Sequence, residues 1–470
     1  MREKILTLSK GSEARKLMRI AWPVTLSQLG HISVGVADSM MLGKLGSIEL
    51  AASTIGLSVF IPFMMLGIGV SYGLSPLVAK ADGENNAQKI SSILKHGFVL
   101  NIGFGAILSV ILWYGSSFLR FLDQPAEIIG FTTIYFQWLA ASMFPLMLYQ
   151  ALKQFAEGLS ITRPAMFISI SGNLLNIFLN YLFIFGKLGM PAMGVEGAAM
   201  TTFVSRIYMG VVLLLYIRWN SQLRYYIGLL KNIAFQWKEI ITLSKTSFPI
   251  GTQLSFESGA FGFAAIMAGW LGTKEIAAHQ IALNLASVTY MAATGLASAA
   301  TVRVGYGYGK KAPKQIYQSG KTALRMVLVF MLCNATLFMV FRSWMPGLYI
   351  ASEEIITMAS SLLLITAFFQ LSDGLQCVSL GILRGLGDVK LPTMVALIAY
   401  WIIGLPVGYI LAFKKGLGLV GIWYGFLIGL SIAAVLLIYR FRLKISRMLK
   451  DSSVTDPSDS KQELEGSVTF

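Results

Sequence analysis

The chain contains a long internal repeat: residues 22–101 align without a gap with the stretch that lies 226 positions further along. The two copies share prolines, glycines and charged residues. Identical pairs include Pro23 and Pro249, Gly43 and Gly269, Gly46 and Gly272, Glu49 and Glu275, Ala52 and Ala278, Gly69 and Gly295, and Lys95 and Lys321. A repeat of this length predicts that the chain folds as two copies of one scaffold, which meet along a seam.

Apolar residues make up 55% of the 470 residues, and charged residues make up only 13%. Because a helix needs about 20 apolar residues to cross a bilayer, long apolar stretches indicate membrane spans. Twelve stretches qualify, at 16–42, 49–79, 90–119, 128–157, 164–186, 195–219, 241–272, 276–308, 318–341, 355–384, 391–413 and 418–440. The sequence therefore predicts an all-α integral membrane protein with twelve transmembrane helices.

The repeat and the span count together predict the arrangement of the helices. Each half has an even number of spans, so the two halves share one orientation and are related by an axis along the membrane normal. We expect two pseudo-symmetric six-helix bundles around a central cavity, which rocking of the halves would expose to each side in turn. The predicted segments are a cytoplasmic N-terminal segment at 1–15, an N-lobe at 16–219, a cytoplasmic connector at 220–240, a C-lobe at 241–445 and a cytoplasmic tail, expected to be disordered, at 446–470.

The net charge of +16 does not indicate nucleic-acid binding, because the basic residues are sorted by side of the membrane. Of the 38 Lys and Arg residues, 30 fall on one side of the predicted spans, together with both termini. One, Arg206, is in mid-span, and the seven on the other side are Lys44, Arg120, Lys187, Lys274, Arg342, Lys414 and Lys415. Positive residues collect on the cytoplasmic side, so both termini are predicted to be cytoplasmic.

Three acidic residues, Asp38, Glu257 and Asp373, lie well inside apolar spans. A charge at mid-bilayer costs about 2.5–3.5 kcal/mol even on the gentler insertion scale, so such residues usually have a function. The structural alternative is an ion pair with a base at membrane depth. The candidate bases are Arg206, which is in mid-span, and Lys153, Arg303 and Arg384, which are near span ends.

The neighbours of these acids are polar and follow helical spacing, which places them on shared faces. Such faces cannot turn to lipid and should line a cavity or a helix seam. The polar neighbours are Gln28 and His31 with Asp38, Gln253 with Glu257, Gln370 with Asp373, and the stripe of Asn173, Asn176 and Asn180.

The acids permit two kinds of ion coupling. A desolvated carboxyl group can take up a proton, and carboxylate and amide oxygens can hold a hard cation. Glu257 and Asp373 would form a paired-acid site if their spans touch, and Asp38 with Asn176 and Asn180 would form a second site. Whether Na⁺ or H⁺ is the coupling ion stays open at this point.

Aromatic and methionine side chains on the same or neighbouring spans suit a lipophilic organic cation. The residues predicted to line such a cavity are Gln28, His31, Phe60, Met64, Gln253, Phe256, Tyr290 and Gln370. No phosphate-binding glycine loop with Lys-Ser/Thr is present, which argues against a built-in ATPase. One alternative function is a flippase for lipid-linked precursors, which would need a basic cavity. A second is a membrane-embedded enzyme, which would need a catalytic constellation at membrane depth.

Several motifs resemble the multidrug and toxic compound extrusion (MATE) family, NorM-type branch, over about residues 15–445. The motifs are Leu42-Gly43-Lys44-Leu45-Gly46 after Pro23 and Asp38, Ala277-Ala278-His279-Gln280-Ile281 with Asn284, Val302-Arg303-Val304-Gly305, Arg384-Gly385-Leu386-Gly387-Asp388, and Asn176 with Asn180 ahead of Ile184-Phe185-Gly186.

The resemblance implies a secondary active antiporter that exports amphipathic organic cations, in exchange for inward Na⁺ or H⁺ and without another cofactor. It implies a C-lobe ion site at Glu257 and Asp373, where Na⁺ could bind, and an N-lobe site at Asp38, Asn176 and Asn180 that Thr202 completes. It further implies a multi-pass protein of a bacterial inner membrane. We expect a monomer that transports small cationic drugs. Phe369 stands where some relatives carry a tyrosine, so this position offers no oxygen ligand.

Overall fold

The computed structural model describes residues 12–122 and 125–455, and these residues form helices joined by short turns. Inside a bilayer the backbone must satisfy its own hydrogen bonds, which favours helices for apolar stretches of this length. The described residues contain twelve long helical segments. They are α1 (Glu13–Gly43), α2 (Ser47–Gly83), α3 (Ala87–Phe121), α4 (Glu127–Gly158), α5 (Arg163–Phe185), α6 (Gly194–Trp219), α7 (Trp237–Leu271), α8 (Thr273–Gly309), α9 (Pro313–Phe341), α10 (Glu353–Gly385), α11 (Lys390–Lys414) and α12 (Gly418–Thr455).

Eleven of these segments, α2 to α12, are long and apolar enough to cross a membrane. The remaining segment, α1, is 31 residues long and carries Gln28, His31 and Asp38, which make it more polar than the others. The twelve segments match the twelve predicted spans, and the all-α, two-bundle prediction is confirmed.

Three segments are interrupted in ways that the sequence did not predict. The helix of α2 breaks at Gly73, where Ser247 of α7 packs so closely that a Cβ would lie 2.7 Å from its Cα. The helix of α4 breaks at Ser142. Two stretches of α11, Ile398–Gly404 and Ile410–Lys414, are π-helical.

We refer to helices α1–α6 as the N-lobe and to α7–α12 as the C-lobe. One hydrophobic cluster crosses from lobe to lobe, since Leu17, Ile20 and Ala21 of α1 pack with Ala293 of α8 and Val378 of α10. We call the end of the bundle that carries the start of α1 and the end of α12 the basic end, and the other the opposite end.

The lobes touch in the half of the bundle nearer the basic end. There Gly69 packs on Gly251, and Gly83 lies against the backbone of Tyr306. Small residues allow helix backbones to approach this closely. Towards the opposite end, polar side chains on the repeat-related helices α2 and α8 are exposed. These are Thr54 and Ser58 with their counterparts Gln280 and Asn284. The closest contacts between the lobes thus lie toward the basic end, and we infer from the exposed polar residues that the lobes enclose an opening at the opposite end.

The segments outside the lobes differ in part from the prediction. A short helix, Ser221–Leu229, lies in the predicted connector, and the side chain of Asn220 caps it by accepting hydrogen bonds from two backbone N–H groups. The last helix continues past the predicted lobe boundary at 445 to Thr455. The rest of the predicted disordered tail, and most of the predicted N-terminal segment at 1–15, lie outside the described residues.

Candidate functional site

The C-lobe places Glu257 at the meeting point of three helices. The hydroxyl groups of Tyr290 on α8 and Tyr400 on α11 each donate to Glu257 Oε1, at 3.0 and 3.2 Å. The sequence predicted Tyr290 as a cavity residue rather than as a partner of Glu257, and it did not indicate Tyr400. Nothing marks this second tyrosine in an apolar stretch, and only the packing of α11 against α7 brings it to the acid.

On α7 and α10, three buried carboxyl or amide oxygen atoms have no hydrogen-bond partner in the described structure. They are Glu257 Oε2, Asp373 Oδ1 and Gln370 Oε1. Glu257 is 6% exposed and Asp373 is 4% exposed, so both side chains are removed from bulk solvent. Unpartnered buried oxygens are costly, and a bound cation or proton would satisfy them. Oxygen atoms of this kind are the ligands that hard cations prefer. A metal site built from three or more His, Cys, Asp or Glu side chains is a different arrangement, and none is found within residues 12–122 and 125–455.

No base in the described part of the chain neutralises the three intramembrane acids by an ion pair. Each candidate base is engaged elsewhere. Lys153 pairs with Glu157 at 3.8 Å, Arg303 pairs with Glu13 at 2.9 Å, Arg384 donates to Gln253 at 3.1 Å, and Arg206 donates to Ser142 at 2.5 Å. The structural alternative raised by the sequence is therefore not what the structure contains.

The N-lobe brings its predicted site residues together between α1, α5 and α6. Asn180 donates to Asp38 Oδ1 at 2.5 Å and to Asn176 Oδ1 at 3.2 Å. Asn176 in turn donates to the Thr202 hydroxyl at 3.5 Å. The hydroxyl of Thr201 donates to Asn180 Oδ1. This contact is shorter than the one between Asn176 and the predicted site residue Thr202. Sequence reasoning missed Thr201, because two adjacent threonines differ only in the helix face they occupy.

A narrow cavity of about 40 Å³ lies in the seam between the lobes. Of the residues predicted to line a cargo cavity, Gln253 and Tyr290 face it, and Gln28 donates to Tyr72 in its wall at 3.3 Å. A cavity of this size holds water molecules rather than a drug.

The other predicted cargo residues lie in different surroundings. The Nε2 atom of His31 is buried without a hydrogen-bond partner, and so are both amide atoms of Gln370. Phe60 is fully buried in the N-lobe, where its ring faces Arg206 at 5.6 Å, and Met64 contacts the same guanidinium at 3.5 Å. The ring of Phe256 packs on Trp401 of α11 at 5.9 Å. The structure therefore does not bring Phe60 and Phe256 to one surface.

The family model described as MatE matches residues 23–182 and 249–410, so both halves of the repeat match it. A probable multidrug resistance protein NorM from Idiomarina loihiensis is 33% identical over 94% of this chain and 96% of its own length. The multidrug resistance protein MdtK from Yersinia pestis is 34% identical over 92% of this chain and 95% of its own.

Solved structures share the fold at lower sequence identity. The eukaryotic MATE transporter AtDTX14 is 23% identical, with a TM-score of 0.83 over 94% of this chain and 98% of that one. A multidrug resistance MATE family transporter in an outward-facing conformation is 22% identical, with a TM-score of 0.85 over 93% and 97%. The repeat, the two-lobed fold and these matches agree. The chain belongs to the MATE family of membrane transporters, and it is a transporter rather than an enzyme.

Proposed function

We propose that this protein is a secondary active multidrug efflux antiporter, which exports amphipathic organic cations in exchange for inward Na⁺ or H⁺. The observation that carries the proposal is the presence of buried carboxylates without basic partners in both lobes. Such groups respond to the binding of a cation or a proton. The names of the NorM and MdtK relatives support the assignment of drugs as cargo.

Coupling requires only that the ion and the cargo prefer different arrangements of the two lobes. In the arrangement described above, the opening faces away from the basic end. An ion entering through it reaches the acids of either lobe, and its binding favours the opposite arrangement. Cargo then enters from the basic end, and cargo binding favours the return.

The direction of transport follows from the orientation of the basic end. Most Lys and Arg residues lie there, and positive residues collect on the cytoplasmic side. We therefore assign both termini to the cytoplasm of a bacterial cell, in its inner membrane, and the opening to the outside. We assign the monomer as the transporting unit, since each lobe pair carries its own acids and its own seam.

The acids also support a cationic cargo over an anionic one. A flippase for a pyrophosphate-linked lipid would need several bases facing the opening. The buried charged groups of the C-lobe site are instead Glu257 and Asp373, and the exposed polar groups of the opening are uncharged, such as Ser58 and Asn284.

The test is efflux by the purified protein in liposomes loaded with a fluorescent organic cation. A Na⁺ gradient and a pH gradient are applied separately, each with the membrane potential clamped. We expect at least one gradient to accelerate efflux and its collapse to stop the acceleration. Efflux that responds to neither gradient would contradict antiport.

A further inference from the structure

Arg384 occupies a distinctive position between the C-lobe acids and the basic end. It lies at the end of α10, on the same helix face as Asp373 and Cys377, about three turns beyond the first and two turns beyond the second. Its guanidinium donates to Gln253 Oε1 at 3.1 Å, and Gln253 lies one turn from Glu257 on α7. Arg384 is thus connected to the acids through a single side chain.

The seam cavity joins the same two places. Its wall begins at Tyr290, which donates to Glu257, and reaches Thr301 and Arg384 nearer the basic end. The N-lobe closes the other side. The N-lobe residues in the wall are Tyr72, Ser75 and Gln154. Its volume of about 40 Å³ is enough for about three water molecules.

Arg384 is the one charged side chain among the described residues that line this cavity. The Nε of Arg384 and the Nε2 of Gln253 are buried without a hydrogen-bond partner. Gln253 is only 4% exposed, so bulk solvent does not reach its amide. The wall therefore presents unused donors and a positive charge to whatever occupies the cavity.

The ionisable groups that surround Glu257 come from α8, α10 and α11. They are Tyr290, Asp373, Cys377, Arg384 and Tyr400. Arg384 is the cation of this set, and it lies within electrostatic range of Glu257. A positive charge near a carboxylate weakens the binding of any further cation, and it does so strongly where water is scarce.

We propose that Arg384 is a positioning residue that weakens the hold of Glu257 and Asp373 on the coupling ion, so that the ion is released through the seam cavity toward the basic end. The proposal rests on the antiport function proposed above. Arg384 acts in two ways: its charge opposes the bound cation, and its bond to Gln253 keeps the guanidinium one turn away from Glu257. The first effect allows release, and the second prevents Arg384 from replacing the ion as a permanent partner.

The experiment measures how efflux in liposomes depends on the concentration of the coupling ion. Arg384→Gln should lower the half-saturating ion concentration by about tenfold, because the opposing charge is gone. The maximal rate should fall as well, because the ion leaves more slowly. Arg384→Lys keeps the charge and should retain a half-saturating concentration close to that of the unaltered protein.

Arg440→Gln is the matched control. Arg440 of α12 is another partly buried C-lobe arginine, but it donates to Asp388 in the turn after α10 at 2.6 Å and does not line the cavity. This variant should leave the half-saturating ion concentration unchanged. A shift equal to that of Arg384→Gln would show a general loss of structure and would overturn the proposal.

Two further results would also overturn it: an unchanged ion dependence in Arg384→Gln, or a Lys variant that behaves like the Gln variant.

If the neutral variant does not fold, Gln253→Leu provides the test. Freed from its acceptor, Arg384 should approach Glu257, so the half-saturating concentration should rise, and no rise would count against the proposal. Absence of ion-driven efflux in the unaltered protein would instead refute the proposed function itself.

Discussion

At the scale of single residues, Glu257 and Asp373 are buried without a base to balance them, which makes them costly to keep. Removing one charge should therefore not destabilise the fold. We expect Glu257→Gln and Asp373→Asn to melt at or above the temperature of the unaltered protein, while ion-driven efflux falls by about tenfold or more.

The measurement pairs thermal unfolding in detergent with efflux from liposomes. Glu353→Gln, at the exposed start of α10, removes a carboxylate outside the apolar stretch and serves as the control for altered charge without altered coupling. Variants of both acids that export normally would contradict the role of this site.

The N-lobe network permits a comparison between two neighbouring threonines. The Thr201 hydroxyl donates to Asn180, which in turn donates to Asp38, whereas the Thr202 hydroxyl accepts from Asn176 at 3.5 Å and donates to the carbonyl of Ala198 on its own helix. Replacing either by valine keeps the shape and removes the hydroxyl. We expect Thr201→Val to lower the free energy of unfolding by about 1 kcal/mol and to reduce efflux more than Thr202→Val does. If Thr202→Val instead lowered the free energy of unfolding and the efflux more than Thr201→Val, the site would depend on Thr202, the residue that the family resemblance implies.

At the scale of helices, Glu13 ties α1 of the N-lobe to two helices of the C-lobe. Its carboxylate accepts from Arg303 at 2.9 and 3.2 Å and from Ser319 at 2.7 Å. Partial burial would raise the pKa of Glu13, but the bonds and charge of Arg303 outweigh it and lower the pKa below its usual 4.5. Glu13 precedes the apolar stretch of α1, at the edge of the seam.

We expect Glu13→Gln to weaken closure of the lobes at the basic end. Because the pKa is lowered in the closed form, this contribution is present above about pH 4.5 and is lost as the pH falls through the lowered value. Spin labels at Asn85 and Lys311, in the turns after α2 and α8, would report the separation in a Cys333→Ser background. A longer distance should gain population in the variant at neutral pH. An unchanged distribution would mean that Glu13 does not hold the seam.

The helices themselves were predictable, because an apolar stretch bounded by turn residues determines where a membrane helix begins and ends. The predicted span 164–186, for example, corresponds to Arg163–Phe185. Which helices become neighbours was harder to infer. Periodicity assigns a residue to a helix face, but it does not say which helix that face meets. For this reason the sequence did not indicate Tyr400, which reaches Glu257 from α11.

At the scale of the whole molecule, the repeat makes the two sides of the opening equivalent in position. Ser58 and Asn284 are repeat-related and exposed there, whereas Ser75, in the closed half of the seam, is 5% exposed. The test uses three single variants, Ser58→Cys, Asn284→Cys and Ser75→Cys, again in a Cys333→Ser background. A membrane-impermeant maleimide added outside cells should label the first two variants and leave Ser75→Cys unlabelled. Rapid labelling at Ser75 from outside would contradict a seam closed at the basic end.

The most direct test of the whole mechanism records ion entry and cargo exit in the same liposomes. Cargo loaded inside the vesicles should accelerate uptake of the coupling ion from outside in the unaltered protein. It should not do so in the Glu257→Gln, Asp373→Asn double variant, although that variant remains folded. Cargo exit without ion entry, or a double variant that still exchanges the two, would contradict the claim that these buried acids couple the fluxes.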